Sequence, residues 1–95
     1  MLRLTTRDRH AEARRRAVAA VDAELARLRD AGPAEVRALL AASPIERAAG
    51  GVALTTRVEA EGDRLLVLAE AWRGRRTLAT GGFAMGPDGT THTPH

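Results

Sequence analysis

The sequence predicts an α+β fold in which a long N-terminal helix and a short helical connector pack on a three- to four-stranded antiparallel meander. Three observations indicate this class: no glycine or proline occurs before Gly32, the apolar period changes from helical to alternating near Val52, and turn signals recur after Glu61. Ninety-five residues suit a single domain. Its expected parts are a basic helical arm at 1–16, a helical part at 17–50, and the meander with a short C-terminal tail at 51–95.

The first helix is expected to run from about Thr6 to Ala31. Thr5-Thr6-Arg7-Asp8 has the form of a capping box, which satisfies the free backbone N–H groups of a first helical turn. The first half offers only alanines among its arginines, so we expect it to be an exposed arm. The second half carries apolar residues at steps of three and four, as a docking face does. These residues are Val18, Val21, Leu25 and Leu28.

Two short helical pieces are expected to connect this helix to the meander. Pro33 suits the first turn of one piece, and Ser43-Pro44-Ile45-Glu46 has the Ser cap, Pro and Glu of another helix start. Gly50-Gly51 would then end the second piece. The connector is therefore predicted to be helical throughout.

The meander is predicted from alternation and turn chemistry. Glu61-Gly62-Asp63-Arg64 indicates a two-residue hairpin turn, and Arg73-Gly74 indicates the next turn. Gly81-Gly82 is typical of a bulge. Residues 90–95 are expected to form a short edge strand or a tail.

The predicted register makes the second strand of the hairpin apolar on both faces. Leu65 and Val67 then face the helices, whereas Leu66 and Leu68 face away, above a shallow floor of Ala79 and Gly81. Without a bulge, two residues of the next strand join that second face. An exposed apolar patch of this kind indicates an interface; the alternative is that the connector covers it and both faces are core. The predicted interface residues are Leu66, Leu68, Trp72, Phe83 and Met85.

Positive charge is concentrated at the N-terminus. Residues 1–16 hold six arginines against two acids, a net charge of +4, whereas the rest of the chain has nine arginines against ten acids, a net charge of −1. Arginines along a helix can neutralise phosphates, although only two aromatic residues are present for base stacking. A solvated helix face is the alternative. The candidate nucleic-acid contacts are Arg7, Arg9, Arg14, Arg15 and Arg16.

No motif for catalysis, metal binding or a cofactor is predicted. Cysteine is absent, and His92 and His95 lie close together at the end of the chain, where a tail is expected rather than a zinc or nickel site. The carboxylates near the hairpin alternate with Arg57 and Arg64, which is typical of cross-strand charge pairing. Neither glycine pair has a phosphate-binding fingerprint.

The sequence therefore favours a non-enzymatic binding or assembly domain that self-associates as a homodimer through a sheet face or helix 1. A short chain buries a small share of its surface, so a second copy or another protein partner would stabilise it. Without a secretion signal in residues 1–10 or an apolar run of membrane-spanning length, the cytoplasm is expected and a membrane partner is not. The alternatives are a nucleic-acid-associated accessory protein that uses the Arg-rich helix, and a small-ligand carrier or enzyme with a pocket over Leu66 and Leu68.

Overall fold

Two helices and a five-stranded antiparallel sheet make up the computed structural model of the chain, which describes residues 6–93, with side chains from residue 9 onward. The predicted α+β class and the N-terminal helix are confirmed, but the strand count exceeds the predicted three to four. The helices are α1 (Thr6–Ala31) and α2 (Pro33–Ala38), followed by one 3-10 turn (Leu39–Ala41). The strands, hydrogen-bonded in chain order, are β1 (Ile45–Ala49), β2 (Val52–Glu61), β3 (Arg64–Arg73), β4 (Arg76–Met85) and β5 (Thr91–His92).

Helix α1 packs on the sheet through a face that includes small residues. Val18, which was expected in this face, is 46% exposed. Ala13, inside the predicted arm, and Ala17, directly after the arm, are buried instead. Alanines permit a close approach, and the fit is tight at Gly81: a Cβ there would lie 2.9 Å from Leu25 Cδ1. The docking face therefore begins earlier than expected. Its apolar members are Ala13, Ala17, Val21, Leu25 and Leu28.

The second helical piece predicted in the connector is wrong, because Ile45–Ala49 is strand β1. Gly50 and Gly51 have φ angles of 58° and 82°, both in the left-handed region. A two-residue hairpin turn of type I′ requires positive φ at both central positions, which glycine adopts without strain. The glycine pair therefore joins two strands rather than ending a helix, and β1 extends the sheet beyond β2.

The register predicted for the β2–β3 hairpin is confirmed. Val58 lies opposite Val67 and Glu61 lies opposite Arg64, which leaves Gly62 and Asp63 as the two-residue turn. Leu65 and Val67 accordingly face α1 and are buried.

The register between β3 and β4 differs from the prediction. Arg73 pairs with Arg76, so the turn falls at Gly74 and Arg75, one residue later than expected, and a register shift follows between Ala71 and Trp72. Moving the turn along by one residue changes each strand pairing by two positions, so the side chains of β4 stay on the predicted faces. The register shift changes the pairing by one position, so every later side chain of β4 moves to the opposite face. The faces of β4 beyond the bulge are therefore the opposite of those predicted from an unbulged hairpin.

The helices cover one face of the sheet, which we call the inner face. Val36 of α2 is fully buried in the same apolar cluster as the α1 residues and the inner-face residues of β2, β3 and β4. Among the described residues, 6–93, this cluster does not include Leu66, Leu68 or Trp72 of the opposite, outer face. The molecule is elongated, with principal extents of 53 × 22 × 20 Å.

The close approach of β3 and β4 at Gly82 gives the first testable prediction. A Cβ at this position would lie 2.6 Å from the carbonyl oxygen of Val67, and backbone cannot move aside as a side chain can. Gly82→Ala should therefore lower the free energy of unfolding by about 1–3 kcal/mol in urea denaturation. Thr80→Ala, an exposed position two residues away on the same strand, is the matched control and should change stability by less than about 0.5 kcal/mol. Equal stability of the two variants would contradict this account of the site.

Candidate interaction surfaces

The outer face of the sheet carries an apolar patch on β3, formed by Leu66, Leu68 and Trp72. Leu68 is 41% exposed, and the other two are partly buried. Gly82 lies opposite Leu68, and Ala84 lies opposite Leu66. The floor beside the leucines is thus made of small residues, as expected, but these are Gly82 and Ala84 rather than Ala79 and Gly81.

Two of the five predicted interface residues lie elsewhere. Phe83 is 1% exposed and Met85 is fully buried, because the register shift turns both toward α1. Phe83 lies opposite Val67, and the guanidinium carbon of Arg29 sits 4.9 Å from the centroid of its ring. These two residues belong to the core. The outer-face patch is reduced to Leu66, Leu68 and Trp72.

Charged residues of both signs lie beside the patch and within it, since Glu70 occupies the outer face of β3 between Leu68 and Trp72. Arg57 lies opposite Leu68, and its Nε is 3.6 Å from Glu70 Oε1. Glu59 lies opposite Leu66 and is exposed. The two leucines therefore form a continuous apolar area with charged neighbours, as at many protein interfaces, whereas Glu70 separates them from Trp72.

A buried carboxylate joins the helix to the sheet. Glu24 of α1 is 2% exposed, and its Oε2 accepts a hydrogen bond of 2.6 Å from the Thr56 hydroxyl. Its Oε1 accepts bonds of 2.7 Å from the Nη2 atoms of both Arg27 and Arg47. Burial alone would raise the pKa of Glu24, but the Thr56 hydrogen bond and the two arginines outweigh burial and lower the pKa.

The Glu24 cluster was not predicted from the sequence, although a signal was present. Glu24 lies three residues after Val21 and four before Leu28, which places it on the buried face of α1. A charged residue at such a position is expected to have a partner from the sheet. All buried polar side-chain atoms among the described residues have a hydrogen-bond partner. The cluster is therefore a fully hydrogen-bonded link between α1 and the sheet.

Four of the five arginines predicted to contact nucleic acid have side chains that the structure describes. Arg9, Arg14, Arg15 and Arg16 are exposed, whereas the side chain of Arg7 lies outside the described residues. Glu12 lies 2.7 Å from Arg15 Nη2 and 3.3 Å from Arg16 Nε. The hydrogen bond and the charge of Arg15 hold the pKa of Glu12 below its ordinary value, so this acid offsets part of the arm's charge.

Within residues 6–93, His, Asp and Glu side chains form no group of three that could hold a metal ion. His95 lies outside these residues. The helices of the same part of the chain are too short or too polar to cross a bilayer.

Comparison of the chain with protein-family models, curated protein sequences and solved structures finds no match.

Proposed function

We propose that this chain is a non-enzymatic binding or assembly domain that self-associates through the outer face of its sheet. The observation that carries the proposal is that β3 places Leu66, Leu68 and Trp72 on the outer face, while the helices pack in the apolar cluster of the inner face. Leu68, 41% exposed, is the largest departure from a solvated sheet face. The absence of cysteine fits a reducing compartment, which supports the cytoplasm as the place of action.

A second copy of this chain is the partner that fits the outer face best. The small residues Gly82 and Ala84 beside the leucines let another sheet approach at the usual separation of about 10 Å. Strands of ten residues, spaced at about 4.8 Å, give an outer face of roughly 600 Å². Two such faces would bury roughly 1,200 Å², the lower limit of specific interfaces, so a modest dimer is expected. The face also holds a hollow of about 590 Å³ over Leu66, Leu68 and Gly82, which is the place that a small ligand would take if it were the occupant instead.

The outward face of α1 is the second surface considered for self-association. Val18 is 46% exposed, and Ala11 and Ala19 beside it are exposed as well. In an antiparallel pair of α1 helices centred between Val18 and Ala19, Arg15 of each copy would face Asp22 of the other. Such a pair is self-complementary in charge, but its contact area is small because the apolar residues are mostly alanines.

Two single substitutions test self-association and separate the two surfaces. Leu68→Glu should convert the dimer into a folded monomer, because the new carboxylate would be buried without a partner only in the dimer. Val18→Glu makes the same change on the outward face of α1 and should leave the dimer intact. Light scattering across a concentration series supplies the mass, and circular dichroism verifies the fold.

The remaining outcomes are also informative. A wild-type protein that is monomeric at high micromolar concentration would reject self-association altogether. If Val18→Glu breaks the dimer and Leu68→Glu does not, the α1 surface is the interface and the sheet face is not.

A further inference from the structure

One end of the molecule concentrates positive charge from two distant parts of the chain. The first half of α1 and the β3–β4 turn together contribute seven arginines against the single acid Glu12, a net charge of +6 among the described side chains. These arginines occupy positions 9 and 14–16 of α1 and positions 73, 75 and 76 around the turn. The other described side chains comprise six arginines and ten acids, a net charge of −4. The fold therefore separates the charge into a basic end and an acidic remainder.

The two groups of arginines meet at a cleft of about 210 Å³. On one side α1 presents Arg9 and Arg16, two helical turns apart on the same face, with the single acid Glu12 between them. On the other side are Arg73 and the Gly50–Gly51 turn. A Cβ on Gly51 would lie 3.9 Å from Arg16 Nη1, so the glycine leaves the floor beside this guanidinium open.

Among the described side chains, several of these arginines have no acidic partner. No carboxylate of the described side chains lies within 4.0 Å of a guanidinium nitrogen of Arg9, Arg73 or Arg76. Repulsion among these cations opposes their assembly, and an anion with several charges would relieve it. Guanidinium groups match phosphate oxygens in geometry as well as in charge.

We propose that this basic end binds the phosphate backbone of a nucleic-acid duplex. The cleft has room for one phosphate group, while Arg14 and Arg15 lie outside it on another side of α1. The positive surface therefore extends beyond one phosphate, which favours a polyanion over a small phosphorylated ligand. The residues that line the cleft include no aromatic side chain for base stacking, so binding should show little sequence preference.

Fluorescence anisotropy with a labelled DNA duplex of mixed sequence, measured at two salt concentrations, tests the proposal with the full chain. Wild-type affinity should fall steeply with salt, with a log-log slope of about −0.9 per phosphate contact. The double variant Arg73→Glu/Arg76→Glu should bind on the order of tenfold or more weakly at low salt. Its slope should also be smaller in magnitude by about 2, because two contacts are lost.

The matched control is Arg37→Glu/Arg64→Glu, which makes the same change in net charge away from the basic end. Arg64 begins β3 and Arg73 ends it, so the two sites are roughly 30 Å apart. This control should keep most of the wild-type affinity, and circular dichroism should show all three proteins folded. Equal losses in the two double variants would mean that only net charge matters and would overturn the site. No binding by the wild type at low salt would overturn it as well.

Discussion

Val67→Glu is expected to unfold the protein. Val67 is 3% exposed, lies between Val58 and Phe83 on the neighbouring strands, and belongs to the apolar cluster under α1. A carboxylate there would be buried without a partner, at a cost of several kcal/mol whether it is charged or protonated. A domain of this size has a total stability of roughly 5–10 kcal/mol. Circular dichroism at 25 °C should therefore show loss of the native spectrum, or a melting temperature lowered by more than about 15 °C.

The neighbouring variant Leu68→Glu is the control, since it places the same charge one residue away on the outer face. It should keep the native spectrum and melt within a few degrees of a wild-type sample dilute enough to be monomeric. Adjacent positions on a strand point to opposite faces of the sheet. The two variants therefore introduce the same charge on the same strand and differ only in the face that receives it. If Leu68→Glu unfolds as readily as Val67→Glu, both faces are core and the proposed interface fails.

The first hairpin could be predicted from the sequence because its register depends on local chemistry. Gly62 and Asp63 form a two-residue turn with a φ of 63° at the glycine, and such a turn leaves one register for the strands it joins. Dependence on local sequence also explains why Gly50-Gly51 was wrongly predicted to end a helix. A glycine pair is compatible with a helix end and with a hairpin turn, and only the pairing of Ile45–Ala49 with β2 distinguishes them.

The face of β4 could not be predicted in this way. A bulge reverses every side chain beyond it, and its position was predicted wrongly: the register shifts between Ala71 and Trp72, whereas Gly81 and Gly82 pair regularly with β3. Phe83 and Met85 were therefore expected on the outer face, although they complete the core. The basic end was missed for a related reason: Arg73 and Arg16 are distant in sequence and meet only after the helix has packed on the sheet.

Packing on small residues accounts for the remaining difference at α1. Val18 was favoured for the core because large apolar residues dominate hydrophobic periodicity. Ala13 and Ala17 pack against the sheet instead, and their small side chains let the helix axis lie close to the strands. Positions 17, 21, 24 and 28 form the buried face of α1. Because residue 24 is a glutamate, the pattern of apolar residues did not identify this face.

Removing the Glu24 carboxylate is expected to destabilise the fold strongly. Glu24→Ala would leave a small cavity and a buried Thr56 hydroxyl without its 2.6 Å acceptor. Arg27 and Arg47 are 56% and 48% exposed at their side chains, so water can replace the lost carboxylate for them. The expected loss is therefore about 2–3 kcal/mol in urea denaturation, rather than the larger cost of stranding a fully buried cation. Glu12→Ala, which removes a solvent-screened carboxylate from the surface of the same helix, is the control and should change stability far less.

The same cluster makes the stability of the protein depend on pH. The pKa of Glu24 is lowered in the folded state from the ordinary value of 4.5 that it regains on unfolding. Its ionised form therefore stabilises the fold fully above pH 4.5, and this contribution is lost as the pH falls below 4.5 through the lowered folded pKa. Glu24→Gln keeps the size of the side chain but does not titrate, while Glu12 and Asp88, whose pKa values are also lowered, remain in both proteins. The stability difference between wild type and Glu24→Gln should consequently shrink as the pH is lowered from 7 to 3; a difference that stays constant over this range would show that the carboxylate charge does not stabilise the fold.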